Sequence, residues 1–390
     1  MNELHAILDV WRNADLAQGA VLATVVHVTG SAYRRPGARM LILNDGRHIG
    51  GVSGGCLEGD LIRKAWWLTN SETPVVRVYD TTSDDDVLFE FGLGCNGIVH
   101  VLLERASSPG AARMLEFLET HRLSRRPALI ATVVHSNGRG IPLGHRLMMD
   151  ESLVPAGELV GSRIEGALLD HVSSVFAGQA SCLVHLPEAD VFMEFVAPPL
   201  PLVIFGAGHD AVPLVNIAAS LGWSTTVADG RPAYARPERF PVANRVLTIK
   251  RDDLLGGIDI DEETAVVVMT HNFPMDLQLM PLVLAHRPRY VGLLGPRSRA
   301  EKLFGQLGQA IPSVVHAPAG LDIGCDTPQA IALSIAADIQ ASISRRGGRR
   351  LMLRSGAIHA PAAEIGVPTH KGELDPARPA YCATIGGSNV

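Results

Sequence analysis

Two of the five cysteines in this chain lie in glycine-rich turns, and each turn leads into a regular element. The first turn is Gly50-Gly51-Val52-Ser53-Gly54-Gly55-Cys56-Leu57-Glu58-Gly59-Asp60. The spacing predicts a helix over Leu57–Leu68, with apolar residues at Leu57, Leu61, Ile62, Ala65, Trp66 and Leu68. A glycine turn feeding a helix leaves backbone N–H groups facing outward, so Ser53, Gly54 and Gly55 are candidate anion contacts. It also sets Cys56 where a helix N-terminus favours the thiolate, the nucleophilic and metal-binding form of the side chain. The charges of Glu58 and Asp60 work against that shift. The alternative is a tight turn in which Cys56 is only a small hydrophobe. The second turn, Gly92-Leu93-Gly94-Cys95-Asn96-Gly97, precedes the apolar strand Ile98–Leu103. Thiolates are soft ligands, so Cys56 and Cys95 are the candidate metal contacts.

A third glycine-rich segment suits phosphate. After the strand Leu202–Phe205 come Gly206-Ala207-Gly208-His209-Asp210-Ala211, an amphipathic stretch to Leu221, and a strand Ser224–Ala228 ending at Asp229. Strand, Gly-x-Gly-x-x-Ala, helix, strand and acid is the dinucleotide-binding arrangement, with Asp229 placed for a ribose 2′-hydroxyl. Further strands are expected at Arg245–Ile249, Ala265–Thr270, Tyr290–Leu294 and Val314–His316. In a doubly wound sheet the ligand lies at the carboxyl ends of the strands near the switch point. That rule gathers Gly206, Gly208, His209, His271 and Arg297, with Arg299 nearby, around one crevice. The two histidines serve equally well as ligand contacts or as hydrogen-bonded structural residues. Thr327 and Pro328 read as the N-cap and first residue of a helix.

The first half repeats itself. Ala23-Thr24-Val25-Val26-His27 returns as Ala131-Thr132-Val133-Val134-His135 at an offset of 108 residues, and the segment around Cys56 returns around Arg163 at 107. Repetition of a supersecondary unit predicts two αβ lobes about a pseudo-twofold axis. The second copy has Ser162 and Arg163 in place of Gly55 and Cys56, and it lacks the Cys95 turn. A turn needed only to close the fold would be needed twice, which favours a functional role for both thiols. They are expected to converge on one pocket open toward the carboxyl ends of the later strands, of the same chain or of a dimer partner, with Arg163 facing solvent or an ion-pair partner. Cys182 falls in a strand and reads as core. Asp84-Asp85-Asp86 reads as a solvated loop, with a hard-cation site as the alternative.

The expected class is α/β: a duplicated αβ domain over 1–197 (copies 1–120 and 121–197), then a Rossmann-like doubly wound parallel sheet over 198–350. Residues 351–390 form an extension and a loose tail. Pro198-Pro199-Leu200-Pro201 is the stiff linker between the domains. Apolar content of 47% with 19% charged residues is ordinary for a soluble protein, and a net charge of −6 argues against nucleic-acid binding. There is no apolar run of membrane-spanning length. No signal peptide is indicated at Met1-Asn2-Glu3-Leu4-His5, and the scattered cysteines form no disulfide framework, so the expected location is cytoplasmic.

In order along nearly the whole chain, these residues carry a resemblance to the xanthine dehydrogenase accessory protein family (XdhC/CoxI). The matching motifs are Gly50–Glu58, Gly94-Cys95-x-Gly97, Phe205–Asp210, Met269-Thr270-His271-Asn272, Leu293-Leu294-Gly295, Gly320-Leu321-Asp322-Ile323-Gly324 and Ile358-His359. Asn96 departs from the glycine expected after Cys95, and Gly59 from a larger small residue. The resemblance implies a homodimeric factor that binds molybdenum cofactor, in its molybdopterin or cytosine dinucleotide form. Such a factor protects the cofactor during sulfuration by a cysteine desulfurase and passes it to an apo molybdenum hydroxylase such as xanthine dehydrogenase. Two other classes stay open from the residues. One is an NAD(P)-dependent oxidoreductase, although no catalytic Tyr/Lys or His/Arg set can be placed. The other is a nucleotide-sensing module, although no helix-turn-helix or basic surface supports it.

Overall fold

The computed structural model describes residues 2–13, 19–80, 97–122, 124–138, 140–355, 358 and 363–365. The chain divides into two compact units: residues 3–198 with 359–390, and residues 199–358 with 1–2. Among the described residues the strands form two five-stranded sheets in the first unit and a six-stranded sheet in the second.

Copy one contains α1 (Asn2–Trp11), β1 (Ala20–Gly30), β2 (Arg39–Leu43), β3 (His48–Gly50), α2 (Glu58–Leu68), β4 (Val75–Asp80) and β5 (Gly97–Arg105). Copy two follows α3 (Pro109–His121) with β6 (Ala128–Ser136), β7 (Arg146–Asp150), α4 (Glu165–Gly178), β8 (Cys182–His185) and β9 (Ala189–Val196). The strand orders β2-β1-β5-β4 and β7-β6-β9-β8 are the same. Ala23 lies opposite Met40 and Leu103, and Ala131 opposite Leu147 and Met193. The register shifts between Val25 and His27 in one sheet, and between Val133 and His135 in the other. A bulge bends and twists its strand locally, so both copies carry the same distortion.

β1 is buried from Val21 to His27 and mostly apolar there because both its faces are covered. Val21, Ala23 and Val25 pack with Leu61 and Ala65 of α2, while Leu22 and Val26 face clusters shared with copy two. α4 covers the other sheet in the same way, through Leu168, Val172 and Val175. Full burial of a side chain such as Leu61 stabilises the fold by about 2 kcal/mol.

A reciprocal exchange of charge ties the copies together. Arg39 of β2 pairs with Glu194 of β9 (Nη1–Oε1 2.8 Å), and Arg146 of β7 pairs with Glu104 of β5. The two arginines occupy equivalent positions, and each also donates to a glycine carbonyl, Gly37 at 3.0 Å and Gly144 at 2.8 Å. Mutual contact of this kind is what a twofold relation produces.

The second unit runs β10 (Pro201–Phe205), α5 (Ala211–Ser220), β11 (Ser224–Asp229), β12 (Arg245–Thr248), β13 (Ala265–Val268), α6 (Phe273–Ala285), β14 (Tyr290–Leu293), α7 (Arg297–Gln306), β15 (Val315–His316) and α8 (Pro328–Ile343). Its sheet is parallel, in the order β12-β11-β10-β13-β14-β15, with α5 and α8 on one face and α6 and α7 on the other. The switch point lies between β10 and β13. Thr327 caps α8 by accepting from Ala330 N at 3.2 Å, with Pro328 at the first turn.

Composition past residue 351 did not announce β16 (Ala363–Ile365), which pairs in parallel with β8, Ala363 opposite Cys182. Residues 366–390 lie outside the described residues.

Candidate functional site

The Cys56 turn is built around one carboxylate. Glu58, 7% exposed, accepts from Val52 N at 3.0 Å, Ser53 N at 2.7 Å and Gly55 N at 3.1 Å, and from the Ser53 hydroxyl. Ser53 Oγ in turn accepts from Leu57 N at 3.0 Å and Gly55 N at 3.2 Å. This corrects the expectation of an open anion cradle, because Glu58 bends back from the helix start to supply the anion itself. The amides of Gly54 and Cys56 find no acceptor among the described residues. Burial pushes the Glu58 carboxyl upward, but the hydrogen bonds from Ser53 and Val52 outweigh it and hold it below the usual carboxylate range. Asp60 is absorbed elsewhere, by Lys64 at 2.7 Å and the Tyr79 hydroxyl at 3.1 Å. Cys56 is an unbridged, half-buried thiol.

Copy two separates the scaffold from the chemistry. Glu165 stands where Glu58 does and accepts from Gly161 N at 2.7 Å. The closing carboxylate is therefore present in both copies and the thiol in one. Arg163 is exposed, as expected. Cys182 is 3% exposed within the core of copy two, and burial pushes its thiol up to about 11. That makes it inert at neutral pH. Cys95 and the acidic run 84–86 lie outside the described residues.

In the second unit Gly206 (φ +115°) ends β10 with its Cα packed on the next loop: an added Cβ would lie 2.3 Å from Met269 O. A Cβ at Gly208 would meet Asp210 Oδ1 at 2.3 Å. The amides of Gly208 and His209 have no acceptor among the described residues, so a phosphate can bind there at the start of α5. Asp229 sits where the dinucleotide pattern puts the acid, yet its carboxylate is engaged. It accepts from Ala207 N at 2.7 Å, and from Arg231 N at 2.8 Å, Nε at 2.9 Å and Nη2 at 2.7 Å. The dinucleotide pattern assigns Asp229 a ribose hydroxyl; in the structure it clamps the glycine loop to Arg231 instead. Across the switch point, His271 Nε2 lies 2.7 Å from Asp210 Oδ2, with His271 in the left-handed region at φ 55°. His209 is exposed.

Comparison with known proteins agrees with this layout. Residues 202–339 match the XdhC Rossmann domain, and residues 15–80 match the XdhC and CoxI family. A probable xanthine dehydrogenase subunit of Bacillus subtilis is 34% identical over 343 residues, covering 87% of this chain and 97% of that one. The chain belongs to the XdhC and CoxI family. The molybdenum cofactor insertion chaperone PaoD of Escherichia coli is 25% identical over 335 residues, covering 83% of each chain. A crystal structure of a xanthine dehydrogenase from Bacillus halodurans superposes with a TM-score of 0.73 at 29% identity, covering 90% of this chain and 99% of that one.

Within this XdhC and CoxI framework two sequence candidates are paired with carboxylates. Arg297 is 78% exposed and pairs with Glu301 at 3.1 Å, one helical turn on. Arg299 is held by the buried Asp276 at 2.7 Å, which also takes the Thr270 hydroxyl. Sequence reasoning passed over a histidine group in the first unit. His27 and His100, each 2% exposed, stand edge to face at 5.3 Å. The Glu364 carboxylate lies 3.8 Å from His27 Nε2 and 4.0 Å from His185 Nε2, and His185 Nδ1 lies 2.8 Å from Asp190. Burial drives His27 and His100 down to about 4, reinforced at His27 by His185, so both are neutral at pH 7. The Val-Val-His repeated within β1 and β6 was the available signal for His27. Among the described residues no group of three or more His, Cys, Asp or Glu side chains is arranged to hold a metal ion, and no helix is long and apolar enough to cross a membrane.

Proposed function

We propose that this chain carries molybdenum cofactor as cargo, holds it for sulfuration by a cysteine desulfurase, and delivers it to an apo molybdenum hydroxylase. It acts in the cytoplasm as a homodimer and turns over no substrate of its own. The observation that carries the reading is the Cys56 turn, where a carboxylate scaffold common to both copies presents a half-buried thiol in one copy only. A thiolate suits the soft metal–sulfur end of such a cofactor. Glu58 already supplies a negative charge to the amides of Val52, Ser53 and Gly55, which disfavours a second anion there, so the thiol is the proposed contact. The name of the relative PaoD, a molybdenum cofactor insertion chaperone, supports the cargo.

The second reading is a nicotinamide dinucleotide in the Rossmann unit. The free amides of Gly208 and His209 favour a phosphate-bearing ligand, whereas Asp229, held by Arg231, offers a ribose diol little. Isolation of the protein from a molybdenum-replete host, with assay of bound pterin, molybdenum and NAD(H), tests both. Pterin with molybdenum supports the cargo reading; NAD(H) alone, with steady turnover of a hydroxylated substrate, overturns it.

A further inference from the structure

Tyr33 is a large aromatic side chain left 70% exposed beside the Cys56 turn. Its ring stands over Gly54, where an added Cβ would lie 3.6 to 3.9 Å from ring atoms Cγ, Cδ1 and Cδ2. The loop that carries it is pinned. Gly37 N donates to Val25 O at 2.7 Å, Ala38 N to Arg35 O at 3.1 Å, and Arg34 Nη1 to Glu3 Oε1 at 3.1 Å. The ring is therefore held out into solvent on a defined backbone.

The second copy shows what happens without a ring. Tyr33 precedes Gly37 by four residues, and its counterpart before Gly144 is Gly140. Tyrosine and cysteine are thus replaced together, by Gly140 and Arg163. A Cβ added at Gly140 would lie 3.4 Å from Arg163 Nη2, so in copy two the chain's own guanidinium covers the spot. In copy one the corresponding spot holds an exposed aromatic surface.

We propose that Tyr33 is a stacking platform for a planar heteroaromatic ring, the pterin of the cargo, beside Cys56. This rests on the cargo reading above and adds the group that recognises the organic part of the ligand. An aromatic face accepts a flat heterocycle without hydrogen-bond readout, through dispersion and displacement of water from both faces. The hydroxyl is not required, and the ring is.

The test is equilibrium binding to the full chain of two probes, 6-hydroxymethylpterin and molybdenum cofactor released from a molybdenum hydroxylase, each followed by pterin fluorescence. Tyr33→Phe is expected to bind both within about twofold of wild type, and Tyr33→Leu to weaken both about tenfold, the scale of one stacking contact. Because the side chain is exposed, the melting temperature of both variants stays at the wild-type value. A Tyr33→Leu protein that binds both probes as tightly as wild type overturns the platform and leaves the cargo reading standing. Wild-type protein that binds neither probe overturns the cargo reading and the platform with it.

Discussion

Replacing Glu58 by Gln keeps the size of the side chain and removes its charge, which tests whether this carboxylate builds the Cys56 turn. Three backbone amides and one hydroxyl converge on its two oxygens. A glutamine offers one acceptor oxygen and turns an NH2 group toward donors, so about two charge-assisted hydrogen bonds are lost at roughly 1.5 to 3 kcal/mol each. Local relaxation and water offset part of that, giving an expected loss of about 3 kcal/mol. Urea denaturation would show it as a lower midpoint with an unchanged slope. Glu165→Gln in copy two keeps an acceptor oxygen for its single amide contact and loses only the charge, so the expected cost is about 1 kcal/mol or less. A loosened turn also uncovers the thiol, so Glu58→Gln raises the rate of Cys56 alkylation while Glu165→Gln leaves it unchanged. A Glu58→Gln protein within about 1 kcal/mol of wild type, with normal thiol reactivity, would show that the turn closes without its carboxylate.

The neutral, buried His27 and His100 make the first unit sensitive to acid. Their folded values of about 4 lie below the ordinary 6.5, so between those limits the unfolded chain binds more protons. The stabilisation is complete above about pH 6.5 and is lost progressively toward about pH 4, by up to roughly 3 kcal/mol per histidine; His100→Gln should flatten the denaturation midpoint against pH over that range. Glu104→Gln leaves Arg146, 1% exposed, without a charged partner and is expected to cost about 3 to 5 kcal/mol by urea denaturation, with much of it restored in the Glu104→Leu/Arg146→Met double variant. Gly206→Ala meets both a positive φ and the Met269 carbonyl, so a loss of about 3 kcal/mol or more in the melting of the second unit is expected. A melting curve matching wild type would mean that the loop can move away from β13.

The elements were legible where period and punctuation agreed. The strands around Ala23 and Ala131, the glycine loop after Phe205 and the cap at Thr327 all show in composition and spacing, because hydrophobic alternation and turn chemistry are local. The duplication was legible too, down to Arg163 standing for Cys56. What escaped was the direction of side chains across sequence distance. Glu58 looked like a dipole-complementing acid, and only the fold shows it turned back onto the amides of Val52 and Ser53. Asp229 looked like a ribose ligand, but Arg231 two residues on takes its oxygens, a pairing that a motif centred on the acid does not include. The exchanged pairs Arg39–Glu194 and Arg146–Glu104 join positions 155 and 42 residues apart, and no local pattern announces them. The same holds for Glu364, brought to His27 and His185 by a three-residue strand after the second unit.

The Cys56 thiol is the proposed contact for the metal end of the cargo. The direct measurement is the molybdenum and pterin content per chain of wild type and Cys56→Ser, each loaded anaerobically with sulfurated cofactor and freed of excess by gel filtration. The half-buried thiol contributes little packing, so both proteins should melt at the same temperature. The serine variant should retain almost no molybdenum, because a hydroxyl is a hard and poorly ionised ligand. Serine protein that keeps molybdenum and pterin at the wild-type ratio would contradict the account, and Cys56 would then be a small hydrophobe closing a turn.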